Sequence, residues 1–353
     1  MKYSTSLLTL LLTLCMVSLA FTQVTPVLTG LNGPWGITVH DNVMYVGENT
    51  NDRVVKADLN QANLSSEVYV TGVSGASSLL VVDGTLYIGE RNGNRISQHP
   101  IDEVGGVAET CTSLEFPPVG LGHRNGSIYI AEREGNKVSR TNIQSGCGSG
   151  FNTIIGDISQ AYGLAIGGDI LYCSDADGGF VFSINLTDKQ YVKDTIVDGL
   201  MTPAGLHVVD NTLYIAEFAN DRLHKVTNIG ENQTIEIFVT GDGPLAVSSD
   251  SNGEIYITEF NANRVSKLGT QVINNTDDLD TQLDVNLYPN PAQEIIRLES
   301  TERYDTYLIR DALGTVVQKG SLTHEQSIAI ENLQSGAYYL TLDLGRTIEF
   351  AKQ

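Results

Sequence analysis

Residues 33–59 read GPWGITVHDNVMYVGENTNDRVVKADL, and residues 202–229 read TPAGLHVVDNTLYIAEFANDRLHKVTNI. Each carries Pro-x-Gly ahead of an alternating apolar run, turns at Asp-Asn, passes through a tyrosine and meets an acid three residues later. The tyrosine recurs at 45, 87, 129, 172, 214 and 256, in steps of 42, 42, 43, 42 and 42, which marks a structural repeat. Counted from that tyrosine, position +3 is Glu48, Glu90, Glu132, Asp175, Glu217 or Glu259. Position +8 is Arg53, Arg95, Lys137, Phe180, Arg222 or Arg264, so the fourth copy alone lacks a base.

Within the first copy, alternating apolar runs bounded by turn residues predict four strands, at 36–39, 43–46, 53–57 and 67–71. No helical periodicity intervenes. A four-stranded sheet cannot cover both of its own faces, so six of them are expected to stack around an axis as an all-β, six-bladed β-propeller spanning residues 21–270. Each innermost strand opens on a small residue, Gly36, Ser78, Gly120, Gly163, Gly205 or Ala246, which permits close backbone approach near the axis. The sixth copy lacks its outer strand, and residues 24–30 (VTPVLTG) resemble 68–72 (VYVTG), so the N-terminal segment is expected to complete blade six.

These units resemble NHL repeats, and their Tyr-x-x-acid step is similar to YWTD propellers. The resemblance implies a six-bladed scaffold and says little about chemistry.

The first 20 residues read as a secretory leader, with Lys2, an apolar core over 7–17 and a Ser18-Leu19-Ala20 cleavage site. No segment is long and apolar enough for a transmembrane helix. Loss of the leader takes the formal charge from −21 to −22, of which the tail from Gln271 contributes −7 and the propeller −15. So acidic a chain repels phosphate backbones, which argues against nucleic-acid partners. Three cysteines then remain, and Cys111 with Cys147 is the candidate disulfide because Cys173 falls within an apolar strand.

Residues 271–283 turn to Asn, Thr and Asp and read as a linker, and 284–353 carry about seven short strands, enough for a small β-sandwich. There LYPNPA at 287–292, IRDALGTVV at 309–317 and NLQSGAYYLTL at 332–342 resemble the C-terminal sorting domain of the type IX secretion system. That resemblance implies a Gram-negative producer, handling by the type IX machinery, removal of the tail, and a product secreted or anchored at the outer cell surface.

In a blade, the loop leading into the first strand and the hairpin joining the second and third emerge on one face. That face is expected to gather Trp35, Tyr162 and Pro203 with all six +3 acids at its rim. The five-residue spacing favours local ion pairs, Glu48 with Arg53, Glu90 with Arg95, Glu217 with Arg222 and Glu259 with Arg264, over a ring of metal ligands. In blade four, Ser-Asp-Ala-Asp-Gly-Gly over 174–179 leaves Asp175 and Asp177 without a base, a short hard-oxygen spacing that could hold calcium. Position +4 reads Asn49, Arg91, Arg133, Ala176, Phe218 and Phe260, cationic on one side and aromatic on the other. Trp35, Tyr162, Arg91, Arg133, Phe218 and Phe260 are therefore the candidate ligand-binding residues.

No GxSxG, HExxH or phosphate-binding glycine loop occurs, and His207 sits on an inner strand where it could face the channel. Two functions follow. The first is an exported propeller that binds a protein or glycan. The alternative is a metal-dependent lactone hydrolase or lyase, since gluconolactonase-type enzymes look similar at repeat level. Those lactonases place an Asn in a Pro-Asn-Gly lead-in loop, where this chain has Pro34-Trp35-Gly36, Pro118-Val119-Gly120 and Pro203-Ala204-Gly205.

Overall fold

The computed structural model describes residues 22–144, 147–230, 233–240, 242–270, 285–300, 306–311, 316–322, 326–342 and 347–353. The leader at 1–20 and the linker at 271–283 lie outside the described residues. The chain divides into two compact units, Phe21–Gln271 and one holding the C-terminal strands.

Strand β1, Thr22–Thr29, opens the first unit. Five four-stranded antiparallel sheets follow in chain order. They are β2–β5 (Pro34–His40, Val43–Glu48, Arg53–Asp58, Glu67–Thr71), β6–β9 (Ala76–Val82, Thr85–Glu90, Arg95–Pro100, Glu109–Ser113) and β10–β13 (Pro118–Arg124, Ser127–Glu132, Lys137–Asn142, Ser149–Ile155). Then come β14–β17 (Ala161–Gly167, Ile170–Asp175, Phe180–Asn185, Asp194–Val197) and β18–β21 (Pro203–Val209, Thr212–Glu217, Arg222–Thr227, Thr234–Val239). The sixth sheet runs β1-β24-β23-β22, with β22 at Pro244–Ser249, β23 at Ile255–Glu259 and β24 at Arg264–Thr270. The inner strands β2, β6, β10, β14, β18 and β22 each pack on the next, and β22 packs on β2. The unit is a closed β-propeller of six four-stranded sheets.

Local sequence explains the blades. The hairpins leaving the inner strands turn at Asp41-Asn42, Asp83-Gly84, Asn125-Gly126 and Asp210-Asn211, and all eight residues have positive φ, as a tight two-residue hairpin requires. The six repeat tyrosines are 3 to 8 % exposed, buried between neighbouring sheets. Inner strands meet backbone to backbone. A Cβ built on Gly163 would lie 2.9 Å from Leu206 N, and one on Gly205 would lie 2.7 Å from Ala246 Cα, so no larger residue fits there.

Position +7, which the repeat reading passed over, joins the blades. Asp52, Asn94, Asn136, Gly179, Asp221 and Asn263 all have left-handed backbone. In every blade the carbonyl at this position accepts an N–H from the next lead-in loop, from Val73, Leu114, Ile158, Leu200, Thr240 and Leu31 in turn. The last of these, Leu31 to Asn263 at 3.1 Å, crosses between the ends of the propeller chain.

The seam is closed twice more. Strand β1 pairs with β24 from Thr22 opposite Thr270 to Thr29 opposite Arg264. The fully buried Thr258 hydroxyl donates to Trp35 O at 2.7 Å and accepts from Ala246 N at 2.9 Å, as the Ser174 hydroxyl does toward Ala204 O and Gly163 N in blade four.

In the second unit, one sheet runs β25-β26-β29 (Val285–Tyr288, Ile295–Ser300, Ser327–Ala329). The other runs β28-β27-β30-β31, with β27 at Thr306–Asp311, β28 at Val316–Ser321, β30 at Gly336–Leu342 and β31 at Thr347–Lys352. Ile296, Leu298 and Ile328 of the first share a core with Ile309, Leu340 and Phe350 of the second, a small β-sandwich. The LYPNPA segment clasps the final strand. Ala351 N donates to Asn290 Oδ1, Ala292 N donates to Ala351 O, and Gln353 N donates to Ala292 O.

Thr258→Val keeps the side-chain volume but leaves Trp35 O and Ala246 N without their buried partner, so it is expected to cost about 1–3 kcal/mol. Urea unfolding of the intact chain measures this, and Thr258→Ser should recover most of the loss. Equal stability of Thr258→Val and wild type would contradict the stitch.

Candidate functional site

Two recurring hydrogen bonds shape the channel mouth. The backbone N–H at position +4 donates to its own lead-in loop in all six blades: Asn49 to Gly33, Arg91 to Gly75, Arg133 to Pro117, Ala176 to Gln160, Phe218 to Thr202 and Phe260 to Gly243. The +3 carboxylate accepts in the opposite sense. Glu48 receives Asn32 N, Glu90 receives Ser74 N, Asp175 receives Ser159 N and Gln160 N, Glu217 receives Met201 N, and Glu259 receives Asp242 N. Lead-in loop and hairpin are thereby fused, and the +4 residues Arg91, Arg133, Phe218 and Phe260 lie against the cluster that holds Trp35 and Tyr162.

The acids do not stand at the rim as the repeat suggested. All six are at most 2 % exposed. The upstream amides draw them under the loops, since a buried carboxylate needs hydrogen bonds to stay charged. Three of the expected ion pairs are present: Arg53 with Glu48, Arg95 with Glu90 at 2.9 Å, and Arg264 with Glu259. The fourth is not. Arg222 forms no ion pair with Glu217, whose oxygens are taken by His224 Nε2 at 2.8 Å and Asn220 Nδ2 at 2.7 Å. A 3-10 turn at Phe218–Asn220 delivers Asn220, and His224 stands where other blades carry Ser97, Ser139 or Ser266.

Environment separates these carboxyls. Burial opposes ionisation of Glu217, yet the bonds from His224, Met201 N and Asn220 hold its pKa below the usual value. At Glu132 burial prevails over the Ser139 hydroxyl and Lys137, and the pKa rises. Lys137 Nζ is 3.6 Å away, too far for a hydrogen bond, and lies over the Phe116 ring.

Asp175 and Asp177 do not fit a cation site. Ser159 N, Gln160 N and Gly178 N, at 2.8, 2.9 and 2.9 Å, occupy the Asp175 carboxylate, and exposed Asp177 accepts from Gln160 Nε2 at 3.1 Å. Among the described residues no group of three or more His, Cys, Asp or Glu is placed to hold a metal ion. The spacing was that of a capped turn.

The aromatic candidates do come together, but deeper than a surface rim. Trp35 and Tyr162 are 7 and 6 % exposed, because their loops point at the axis where the strands converge. Their rings are stacked, with centroids 6.3 Å apart and planes at 12°, and Phe260 meets Trp35 edge-on at 5.6 Å. The Arg91 guanidinium lies 4.4 Å from the Trp35 centroid and Arg133 lies 5.6 Å from that of Tyr162, both within cation–π range. Burial raises the Tyr162 pKa against the pull of Arg133 and Arg91. Phe218 and Phe260 are half-buried and pack on the same cluster.

Trp35 and Tyr162 also line a cavity of about 350 Å³. Ile37, Leu79, Leu121, Leu164, Leu206 and Val247, one from each inner strand, line it as an aliphatic collar. His123, His207, Ser248 and Ser249 line it too. His207 Nε2 and Ser249 Oγ are 2.8 Å apart, and burial pushes the imidazole pKa down to about 4. Cys111 and Cys147 form a disulfide, and Cys173 is a buried thiol whose pKa is raised by burial.

Residues 286–352 match the family of secretion system C-terminal sorting domains. The tail thus marks the chain for type IX export to the cell surface or beyond. No curated protein matches the chain in sequence. Solved structures do. A gluconolactonase of Xanthomonas campestris aligns with a TM-score of 0.60 at 14 % identity, over 71 % of this chain and 90 % of that one. Regucalcin of Agrobacterium tumefaciens, a calcium-binding protein, gives 0.56 at 14 % over 72 and 95 %. The nidogen/laminin complex gives 0.53 at 13 % over 61 and 84 %. At such identities the likeness is one of fold. Among the described residues no helix is long and apolar enough to cross a membrane.

His207 makes stability pH-dependent. Its folded pKa lies below the unfolded value of 6.5, so its contribution is complete above pH 6.5 and fades as pH falls toward 4. The shift corresponds to about 3 kcal/mol at most. His207→Gln should flatten the thermal midpoint over that window, and an unchanged acid slope would contradict the assignment.

Proposed function

We propose that this chain is an exported propeller of the NHL type, released or anchored at the outer surface of a Gram-negative cell, which binds a protein or glycan at its channel mouth. Residues 1–20 act as its leader, and the tail delivers it to the type IX machinery.

The observation that carries the reading is the Arg91/Arg133 tier. Both guanidinium groups are half-buried on aromatic faces, and neither forms an ion pair among the described residues. Half-desolvated charge without a carboxylate is unfavourable in the free protein, and a ligand that supplies acceptors relieves it. Opposite them Phe218 and Phe260 offer half-buried apolar surface. Because the lead-in loops are latched to their hairpins, little ordering entropy is lost on binding.

The alternative is a metal-dependent lactone hydrolase or lyase, which the fold likeness to a gluconolactonase supports loosely. Its donor set does not assemble at Asp175 and Asp177, and the Asn of the lactonase loop is replaced by Trp35, Val119 or Ala204.

The test is a glycan-array and secreted-protein binding screen with the purified chain, repeated on Phe218→Ala and Phe260→Ala. Truncating a buried aromatic anchor is expected to weaken binding by about thirtyfold, a loss of roughly 2 kcal/mol. Full retention of binding in both variants would move the site away from the mouth.

A further inference from the structure

Among the described residues, the buried polar atoms without a partner around the mouth include two nitrogen donors, Trp35 Nε1 and Asn49 Nδ2, beside the Glu132 Oε2 acceptor of blade three. Trp35 is 7 % exposed, and its indole N–H makes no hydrogen bond of normal geometry. Asn49 Nδ2, in the +4 tier, is likewise buried and unpartnered. Arg91 and Arg133 add guanidinium donors with no carboxylate bound. Buried donors left unpaired are costly, and a ligand that supplies acceptors relieves that cost.

We propose that the mouth selects ligands bearing one carboxylate, held by Arg91 and Arg133, with the ligand's apolar body against Phe218 and Phe260. The inference rests on the mouth being the binding site. Guanidinium pairs suit a carboxylate because each offers parallel N–H donors to its two oxygens. The surrounding charge sets the number of anionic groups. The propeller carries −15, so a polyanion is repelled by everything outside the mouth, whereas a single carboxylate on a neutral body meets only the local cations.

The electrostatics of Arg91 agree with that placement. Burial holds its pKa below the usual value, the adjacent Arg133 charge adds to the effect, and Tyr162 and Glu134 oppose it. An anion seated between the two arginines removes the repulsion between them.

The chain carries its own reporter, because Trp35 is its single tryptophan and forms the floor of the site. The experiment is a fluorescence titration of the full chain, excited selectively at tryptophan, with matched probes. D-glucuronate against its methyl ester tests a sugar acid, and N-acetyl-phenylalanine against its amide tests a peptide terminus. At least one acid is expected to shift Trp35 emission saturably, with its neutral partner about tenfold weaker or more. Arg91→Gln and Arg133→Gln should each weaken the acid by about tenfold and leave the neutral probe unaffected. Arg91→Lys, which keeps the charge, separates loss of recognition from loss of packing on Trp35, as does an unchanged thermal midpoint.

Acid and neutral probes binding equally, or acids that fail to perturb Trp35, would overturn the proposal. If neutral probes alone bind and Phe260→Ala abolishes them, the mouth remains the binding site while its selectivity for anions falls. Which acid binds distinguishes a uronic sugar from a chain-terminal carboxylate.

Discussion

The +3 carboxylate is the interaction on which the rest of the propeller depends. Burying a charged carboxylate costs several kcal/mol unless its oxygens are satisfied. In five blades a lead-in amide about sixteen residues upstream supplies part of that satisfaction, and Arg, Ser, His or a turn amide supplies more. One buried charge therefore fixes the hairpin to the loop that enters the same blade. Because the +7 carbonyl then binds the next lead-in loop, the local bond propagates around the ring. The mouth is the summed result: six loops held at fixed height, with Trp35 and Tyr162 turned toward the axis.

Variation among the six blades makes sense against that frame. Asp175 is one methylene shorter than glutamate and is held by three backbone amides, which leaves no need for a base at +8, where Phe180 is found. Glu217 exchanges the arginine for His224, because the 3-10 turn brings Asn220 onto the carboxylate. Glu132 is the weakest latch, with a distant lysine and a raised pKa. The ring of small residues on the inner strands completes the constraint, since a Cβ at Gly36, Gly120, Gly163 or Gly205 would meet the backbone of the next strand.

Much of the architecture was legible in the sequence because it is periodic. The tyrosine step, the small residue opening each inner strand and the strand-like segment near the N-terminus all report on packing that repeats. The site was less legible because depth is not periodic. Glu48 and Arg53 are five residues apart and invite a surface pair, but the partner that buries Glu48 is Asn32 N, which no side chain announces. Trp35 and Tyr162 read as residues of the loop face, and their depth escapes the sequence for the same reason, being set by convergence of strands far apart in the chain. The +7 joint could have been found, since Asp, Asn or Gly recurs there in all six copies, a signature of left-handed backbone. Asp175 and Asp177 suggested a cation because acidic spacing in a turn is shared by calcium loops and amide-capped turns, and only the position of the amides separates them.

The central claim is that the mouth is organised before any ligand arrives, by buried carboxylates binding lead-in amides. Amide hydrogen exchange on the ligand-free chain tests this most directly. The Asn32, Ser74, Ser159, Gln160, Met201 and Asp242 amides are predicted to exchange slowly, at rates approaching those of the inner strands, despite lying in loops. Exchange as fast as that of the exposed hairpin tips at Asp41 and Asn211 would contradict it.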